Sequence, residues 1–154
     1  MKPSTPSPIF IPKVLSIAGS DSGGGAGIQA DLKVITALGG FGMTAITAIT
    51  AQNTMGVTRI QDIDLDVVEA QIDAVVTDIG VDIVKIGMLA SPAIVKTVAR
   101  CLKKHQIKQI VLDPVLMQPQ VLVWAETIRQ KRWLQNFFHS PPSSHLIYTK
   151  HRSC

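Results

Sequence analysis

The sequence lacks long apolar runs and is poor in cysteine. No continuous apolar stretch reaches the ~20 residues that a membrane-spanning helix needs, although 46% of the 154 residues are hydrophobic. The two cysteines, Cys101 and Cys154, form neither a CxxC pair nor an even disulfide framework. We therefore expect a globular chain with free thiols, a cytoplasmic location and no membrane partner.

An excess of charge of one sign is missing from most of the chain. Residues 1–117 contain ten lysines and arginines and ten acidic residues, so the whole net charge of +4 arises in residues 118–154. A basic excess confined to one end does not make the positive face that nucleic-acid recognition requires. We therefore predict no specific nucleic-acid partner.

Residues 118–154 also lack glycine and aspartate, yet they hold both tryptophans, the only tyrosine and three of the four histidines. They show no clear helix or strand period. This change of composition predicts three regions: a flexible arm over 1–12, a folded part over 13–117 and a divergent tail over 118–154. The tail is interpreted as frameshifted or disordered sequence, and a genuine surface extension is the alternative.

Four common site signatures are absent or incomplete as well. No GxxxxGK[ST] phosphate loop is present, because Gly24 is followed by Gly25 and Ala26. The segment GAGIQA formally fits the dinucleotide pattern, but no acidic residue follows about 20 positions later. No GxSxG nucleophile motif occurs, and the histidines do not have metal-ligand spacing. These observations argue against a phosphate loop, a serine-hydrolase site and a histidine-bound metal, and they leave dinucleotide binding as a weak alternative.

Strand-like and helix-like segments alternate from residue 14 to residue 113. Short β-branched runs read as strands, and apolar residues at helical spacing read as helices. Asp64 is the predicted N-cap of one helix, and Ser91-Pro92 starts the next one. In the earlier helix that follows the glycine loop, Leu38 is the last residue of the apolar repeat. This order predicts an α/β fold, an open, mostly parallel sheet flanked by helices and Rossmann-like in type. The predicted strands are VLSIAG, MTAITAITAQ, VTRIQDI, DIVKIGM and QIVLDPV.

The segment SIAGSDSGGGAGIQADLK holds five glycines between Gly19 and Gly27. It follows the first predicted strand and leads into the first predicted helix. Ligands of open α/β sheets bind at the carboxyl ends of the strands, and loop amides beside a helix N-terminus favour partial negative charge or a polar ring. A tight turn without a ligand is the alternative.

Other polar and soft side chains are expected at the same edge. Gln52 ends the second strand, Met88 follows KIG, Asp113 ends QIVLD, and Asp31 lies one helical turn beyond the loop. Taken singly, each could be a turn residue or core filler. Together they suit a small, flat, neutral heterocycle, because an amide can read ring nitrogens and a thioether can pack on the ring face.

Four motifs in order carry a family resemblance. AGSDSGGGAGIQADLK, TAITAQNTMGV, DIVKIGML and VLDPVL closely resemble the amino-terminal half of hydroxymethylpyrimidine and phosphomethylpyrimidine kinases. These belong to the ribokinase-like superfamily and act in thiamine biosynthesis. The resemblance covers about residues 13–117. It implies phosphorylation of 4-amino-5-hydroxymethyl-2-methylpyrimidine and its monophosphate, with ATP and Mg²⁺ as cofactors, and it also implies a homodimer.

The resemblance also implies roles for single residues. Gln52 matches the glutamine that hydrogen-bonds the pyrimidine, and Met88 matches a residue against the ring. Gly19 and Asp31 match positions near the hydroxymethyl group. The remaining pair lies where the family strand reaches the pocket: Asp113 and Val115. The glycine loop would then hold the acceptor substrate, with the nucleotide phosphates elsewhere.

The sequence departs from the family pattern after VLDPVL. The lysine segment, the TPN-type motif and the GTGC-like turn, which supplies the anion hole and the catalytic base, are not found. No catalytic residue is therefore assigned, and we expect a truncated, weakly active or inactive kinase. Three alternatives stay open: a non-catalytic pyrimidine-binding fragment, a relative of pyridoxal-type kinases, or a non-functional product with an exposed sheet edge at QIVLDPV.

Overall fold

The structure is a computed structural model that describes residues 10–113 and 146–148. Strands and helices alternate along most of this length, as the apolar periodicity predicts. The elements are β1 (Lys13–Ala18), α1 (Gly27–Ala37), β2 (Phe41–Ile46), β3 (Ala48–Asn53), β4 (Gly56–Asp62), α2 (Leu65–Asp78), β5 (Ile83–Ile86), α3 (Pro92–Lys104), β6 (Ile110–Leu112) and β7 (Leu146–Tyr148).

Five of the strands form one sheet in the order β2-β1-β5-β6-β7, and every neighbouring pair in it is parallel. The strands β3 and β4 form a separate antiparallel hairpin. The predicted α/β class with an open, mostly parallel sheet is therefore confirmed. The crossover connections bring the carboxyl ends of β1 and β5 to one edge, where the glycine loop also lies.

The core lies between the sheet and the pair α2 and α3. Alternate residues of a strand face opposite sides of a sheet, and Leu15 and Ile17 of β1 belong to the same buried cluster as Ile72 of α2 and Val98 of α3. Ser16 lies between them in sequence and contacts α1 instead. The helix α1 thus covers one face of the sheet, and α2 and α3 cover the other.

The segment MTAITAITAQ, predicted as one strand, is two strands in different sheets. The break is at the fully buried Thr47. Its main-chain N–H donates 3.0 Å to the Ala18 carbonyl, and its own carbonyl accepts from the Ile63 N–H at 3.0 Å. Local β propensity is equal on both sides of Thr47, so only these long-range bonds locate the change of direction.

The helix boundaries agree closely with the predicted caps, with two differences. The Ser91 side chain accepts from the Ile94 N–H at 3.3 Å, as predicted for that N-cap. Asp64 occupies the N-cap position of α2, but its side chain makes no capping hydrogen bond. Leu38 lies beyond the end of α1 and is 82% exposed, so the apolar face of that helix ends one turn earlier than the repeat indicates.

The tail contributes a strand that its sequence did not indicate. Leu146–Tyr148 pairs in parallel with Ile110–Leu112, so β6 has a neighbour on both sides. The exposed sheet edge that the third alternative placed at QIVLDPV therefore does not occur at Ile110–Leu112. The rest of the tail, most of the predicted arm, and Val115 lie outside the described residues. In the part that is described, we find no helix with the length and apolarity needed to span a membrane.

Candidate functional site

The glycine loop between β1 and α1 is built around its own aspartate. Both carboxylate oxygens of Asp21 accept main-chain N–H groups: Gly23 at 2.8 Å on one oxygen, and Gly25 and Ala26 at 3.0 and 2.8 Å on the other. Asp21 is only 5% exposed. An aspartate that accepts the N–H two residues ahead is a common turn element, and here the same carboxylate also organises the start of α1.

The charge on Asp21 suits this environment. Burial raises the pKa of the carboxyl group, but the hydrogen bonds from Gly23, Ala26 and Gly25 lower it, and the net pKa lies below the ordinary value of 3.8. The carboxylate is therefore ionised at neutral pH. The negative charge that the sequence led us to expect at the loop amides is, at these three amides, supplied by the protein itself.

One glycine of the loop is required by a close approach of main chain. Gly27 has φ of +58°, and a Cβ there would lie 2.4 Å from the Gly19 carbonyl oxygen. That oxygen accepts the Ile28 N–H at 3.1 Å. The first turn of α1 is thus held directly against the end of β1, which no residue with a side chain would allow.

Gly19 and Met88, both predicted site residues, are in direct contact. The Gly19 N–H donates to the Met88 carbonyl oxygen at 3.2 Å, and Met88 Cε lies 3.1 Å from where a Cβ of Gly19 would be. Bare main chain after β1 and a thioether after β5 therefore form one surface at the carboxyl edge of the sheet.

Gln52 joins the loop through main-chain and side-chain contacts. The Ser22 hydroxyl donates to the main-chain carbonyl oxygen of Gln52 at 2.6 Å and accepts from the main-chain N–H of Gln52 at 2.7 Å. Thr50 Oγ1 lies 2.7 Å from the Ser20 carbonyl oxygen and 3.2 Å from Gln52 Oε1. The Thr50 hydroxyl has one proton, and it donates that proton to the nearer Ser20 carbonyl oxygen. The Gln52 side-chain amide is therefore better oriented with its NH₂ donating to Thr50. The side-chain carbonyl oxygen of Gln52 is then left to accept from a ligand.

Asp31 and Asp113 are linked by a lysine. Lys85 Nζ lies 3.0 Å from Asp31 Oδ1 and 3.6 Å from Asp113 Oδ2. The fully buried Ser16 hydroxyl donates to Asp31 Oδ2 at 2.6 Å, and the Asp113 N–H donates to the Ile86 carbonyl at 2.9 Å. The two carboxylates predicted at the rim therefore share one cation.

The contacts thus form three groups: Gly19 with Met88, Gln52 with the loop, and Asp31 with Asp113. Val115, the sixth predicted residue, lies outside the described part of the chain. Sequence reasoning did not identify Asp21 or Lys85. Both left a signal: Asp21 precedes the glycines at the spacing of an aspartate turn, and Lys85 interrupts a strand that a buried parallel sheet should make apolar throughout.

The described residues do not fit a resident metal ion. Over residues 10–113, no three histidine, cysteine, aspartate or glutamate side chains converge as a metal site would require. Asp31 and Asp113 both contact the Lys85 ammonium, and its positive charge disfavours a divalent cation between them.

Comparison with protein families finds a match to the phosphomethylpyrimidine kinase model over residues 21–129. Among curated relatives, the hydroxymethylpyrimidine/phosphomethylpyrimidine kinase of Mycobacterium tuberculosis is 54% identical over 114 residues, covering 73% of this chain and 42% of the relative. The Escherichia coli protein of the same name is 52% identical over 103 residues, covering 67% and 39%. The chain thus spans about two fifths of the length of these relatives.

Solved structures give the same picture of the fold. A phosphomethylpyrimidine kinase from Clostridium difficile aligns with a TM-score of 0.67 and 51% identity, over 70% of this chain and 46% of that one. A Staphylococcus aureus pyridoxal kinase in complex with AMP-PCP and pyridoxal aligns with a TM-score of 0.66 and 34% identity, over 79% and 44%. The fold of the described residues is therefore shared with solved phosphomethylpyrimidine and pyridoxal kinases.

Proposed function

Because the chain belongs to the phosphomethylpyrimidine kinase family, we propose that its rim holds the acceptor substrate of an ATP-dependent phosphorylation in thiamine biosynthesis. The acceptor is hydroxymethylpyrimidine or its monophosphate. The observation that carries the proposal is the contact of Gly19 with Met88 beside a loop that also binds Gln52. This arrangement offers bare main chain, a thioether and an amide to one flat ring.

The chemistry of the glycine loop supports the uncharged ring of the acceptor there rather than a phosphate group. A phosphate-binding loop needs free amides, but those of Gly23, Gly25 and Ala26 already donate to Asp21. A second anion would also meet the charge of that carboxylate. We propose ATP and Mg²⁺ because the chain belongs to this kinase family. No described residue is assigned as a contact of the ATP phosphates or of the metal ion.

In the proposed complex, each rim residue has one task. The side-chain carbonyl oxygen of Gln52 accepts a hydrogen bond from the ring amino group, and Met88 packs on the ring face. Gly19 leaves space for the hydroxymethyl group, whose hydroxyl donates to Asp31. Asp113 borders the same pocket with Val115. These residues bind and orient the alcohol, and no general base is assigned among them.

Family relatives are more than twice as long as the region matched here. For these 154 residues by themselves we propose binding of the acceptor with weak or no turnover. If turnover is absent altogether, the chain is a non-catalytic binding fragment. A pyridoxal-type acceptor is the second candidate, favoured by the alignment with Staphylococcus aureus pyridoxal kinase.

The deciding experiment is calorimetry of the full chain with the hydroxymethylpyrimidine and with pyridoxal, each with and without AMP-PCP. We expect the pyrimidine to bind more tightly. Gln52→Ala should weaken its binding about tenfold, the loss of one hydrogen bond of about 1.4 kcal/mol. Gln61→Ala, on the same hairpin and exposed, is the matched control and should bind as the wild type does.

Other results distinguish the alternatives. Tighter binding of pyridoxal would select the second candidate, and no binding of either compound would contradict the proposal. A coupled assay with ATP and Mg²⁺ then measures turnover. Rates in the ordinary kinase range of about 1–100 s⁻¹ would show that the expectation of weak activity is wrong.

A homodimer in the cytoplasm completes the proposal. Every residue of β4 is exposed, and the hairpin carries Ile49, Met55, Val57 and Ile60 as exposed apolar side chains. Clustered exposed apolar residues commonly mark a protein interface. Cys101 is a free, buried thiol, which is compatible with a reducing compartment.

A further inference from the structure

Lys85 is the charged residue of an otherwise apolar central strand. Its strand neighbours in β5 are isoleucine and valine, and its Cα pairs with Ser16 of β1 and Val111 of β6. A central parallel strand is normally apolar on both faces. A lysine at this position therefore needs partners strong enough to offset its partial removal from water.

Gly87 leaves room for the Lys85 side chain beside it. A Cβ on Gly87 would lie 3.1 Å from Lys85 Nζ and 3.0 Å from Ala18 Cβ. Lys85 begins inside the sheet, and its ammonium passes the bare Cα of Gly87 at the carboxyl end of β5. The ammonium group therefore lies at the same edge of the sheet as the glycine loop.

At that edge the ammonium contacts carboxylates from two different elements. Nζ lies 3.0 and 3.1 Å from the two oxygens of Asp31 on α1, and 3.6 Å from Asp113 after β6. Among residues 10–113, Lys85 is the only cation that forms an ion pair with either carboxylate. The three side chains are between 16% and 29% exposed, so water screens their charges only in part.

The arrangement has a direct electrostatic consequence. Without the ammonium, two carboxylates would face each other across the end of β5 and repel. Asp31 would keep only the Ser16 hydroxyl as a described side-chain partner, and one hydroxyl cannot fix both carboxylate oxygens. The cation therefore determines both the separation and the orientation of the two acidic groups.

We propose that Lys85 is a positioning residue for the acceptor site: it holds Asp31 and Asp113 in a fixed relation at the rim. The consequence for binding rests on the proposed function, in which the Asp31 carboxylate accepts the hydroxyl of the acceptor alcohol. Lys85 acts through the carboxylates and does not itself touch the substrate. The geometric part of the proposal concerns the unliganded protein alone.

The test replaces Lys85 with methionine, which keeps an unbranched chain and removes the charge. Lys96→Met, at an exposed position of α3, is the matched control. Crystal structures of the unliganded full-length variants report the carboxylate positions, and calorimetry reports affinity for the hydroxymethylpyrimidine. In Lys85→Met we expect the two carboxylates to separate and the affinity to fall about tenfold, as for other lost charge-assisted contacts.

Two further variants distinguish positioning from a merely structural role. Lys85→Arg keeps a cation that can contact Asp31 and should retain most of the affinity. Asp113→Asn in the Lys85→Met background removes the repulsion and should recover part of the lost affinity, a coupling measured by a double-mutant cycle. If Lys85→Met does not fold, the comparison of Lys85→Arg with the double variant still measures this dependence on charge.

Distinct results overturn the two proposals. Carboxylates that keep their places in Lys85→Met, or equal losses of affinity in Lys85→Met and Lys96→Met, would refute the role of Lys85 while leaving the acceptor site intact. Wild-type protein that binds no pyrimidine would refute the acceptor site. In that case the positions of Asp31 and Asp113 in the unliganded variant still decide whether Lys85 holds them.

Discussion

The main-chain N–H of Gly19 donates a hydrogen bond of 3.2 Å to the carbonyl oxygen of Met88. The two residues are 69 positions apart and follow the neighbouring parallel strands β1 and β5. The bond closes the carboxyl edge of the sheet between β1 and β5. The Met88 methyl carbon lies 3.1 Å from where the Cβ of a side chain at position 19 would be.

This contact predicts the effect of Gly19→Ala. The new Cβ would lie 3.1 Å from Met88 Cε, so the flexible thioether must shift by a few tenths of an ångström. We expect a cost of about 1 kcal/mol in unfolding free energy but a clear loss of pyrimidine affinity, measured by calorimetry. Gly25→Ala adds a methyl group at an ordinary 3.8 Å from Asp21, and equal losses in both variants would contradict the prediction.

Gly27→Ala tests the close approach between the loop and β1. The left-handed φ and the 2.4 Å contact with the Gly19 carbonyl should together cost about 3 kcal/mol, measured by urea unfolding. Gly39→Ala isolates the conformational part, because Gly39 also has positive φ but no neighbour within 4 Å. That control should lose only about 1 kcal/mol. Equal costs would mean that the contact relaxes freely.

Acid should weaken the glycine loop through Asp21. The pKa of this carboxyl group lies below its ordinary value of 3.8 in the folded protein, so its stabilising effect is complete above that value. It is lost as pH falls through the folded pKa. We expect faster amide hydrogen exchange of Gly23, Gly25 and Ala26 in Asp21→Asn than in the wild type at pH 6, with the difference shrinking below about pH 3.8.

The control for that experiment is Asp78→Asn, at an exposed position at the end of α2. Exchange at the three loop amides should not respond to it. A wild type and Asp21→Asn variant with identical exchange rates at pH 6 would show that the carboxylate does not hold the loop.

The exposed hairpin predicts the behaviour of the proposed homodimer. Ile60→Lys places a charge on a strand whose residues are all exposed, so it should shift the sedimentation coefficient towards the monomer without lowering the unfolding midpoint. Leu38→Lys, at an apolar position that is 82% exposed beyond α1, should leave the assembly unchanged. A wild type that sediments as a monomer at all concentrations would exclude the dimer.

The order of elements was readable from the sequence where the local pattern was strong. The strands β1, β5 and β6 and the helix α3 follow directly from apolar runs and from the Ser91-Pro92 start. The division of MTAITAITAQ at Thr47 was not readable, since the residues on both sides have the same β preference. The strand Leu146–Tyr148 pairs with a partner more than 30 residues earlier in the chain, and three residues carry no usable period.

The candidate site divides in the same way. Position in the sequence was enough to predict that Gly19, Met88 and Asp113 lie at the carboxyl ends of parallel strands, which meet at one edge of the sheet. Gln52 was also predicted to end a strand of that sheet, but it lies in β3 of the separate antiparallel hairpin. It was not enough to predict which polar groups satisfy each other. Asp21 was read as part of a glycine loop open to ligands, while in the fold its carboxylate takes three of the loop amides.

Sequence alone determined the fold class, the place of the glycine loop and the family, because these depend on local periodicity and on motifs in a fixed order. Tertiary structure alone decided that Lys85 joins Asp31 and Asp113, groups 54 and 28 residues away from it. The physical reason is the distance along the sequence over which each kind of interaction acts. Main-chain preference acts over a few residues, whereas the charge of an ammonium group acts on whatever the folded sheet brings within a few ångströms of it.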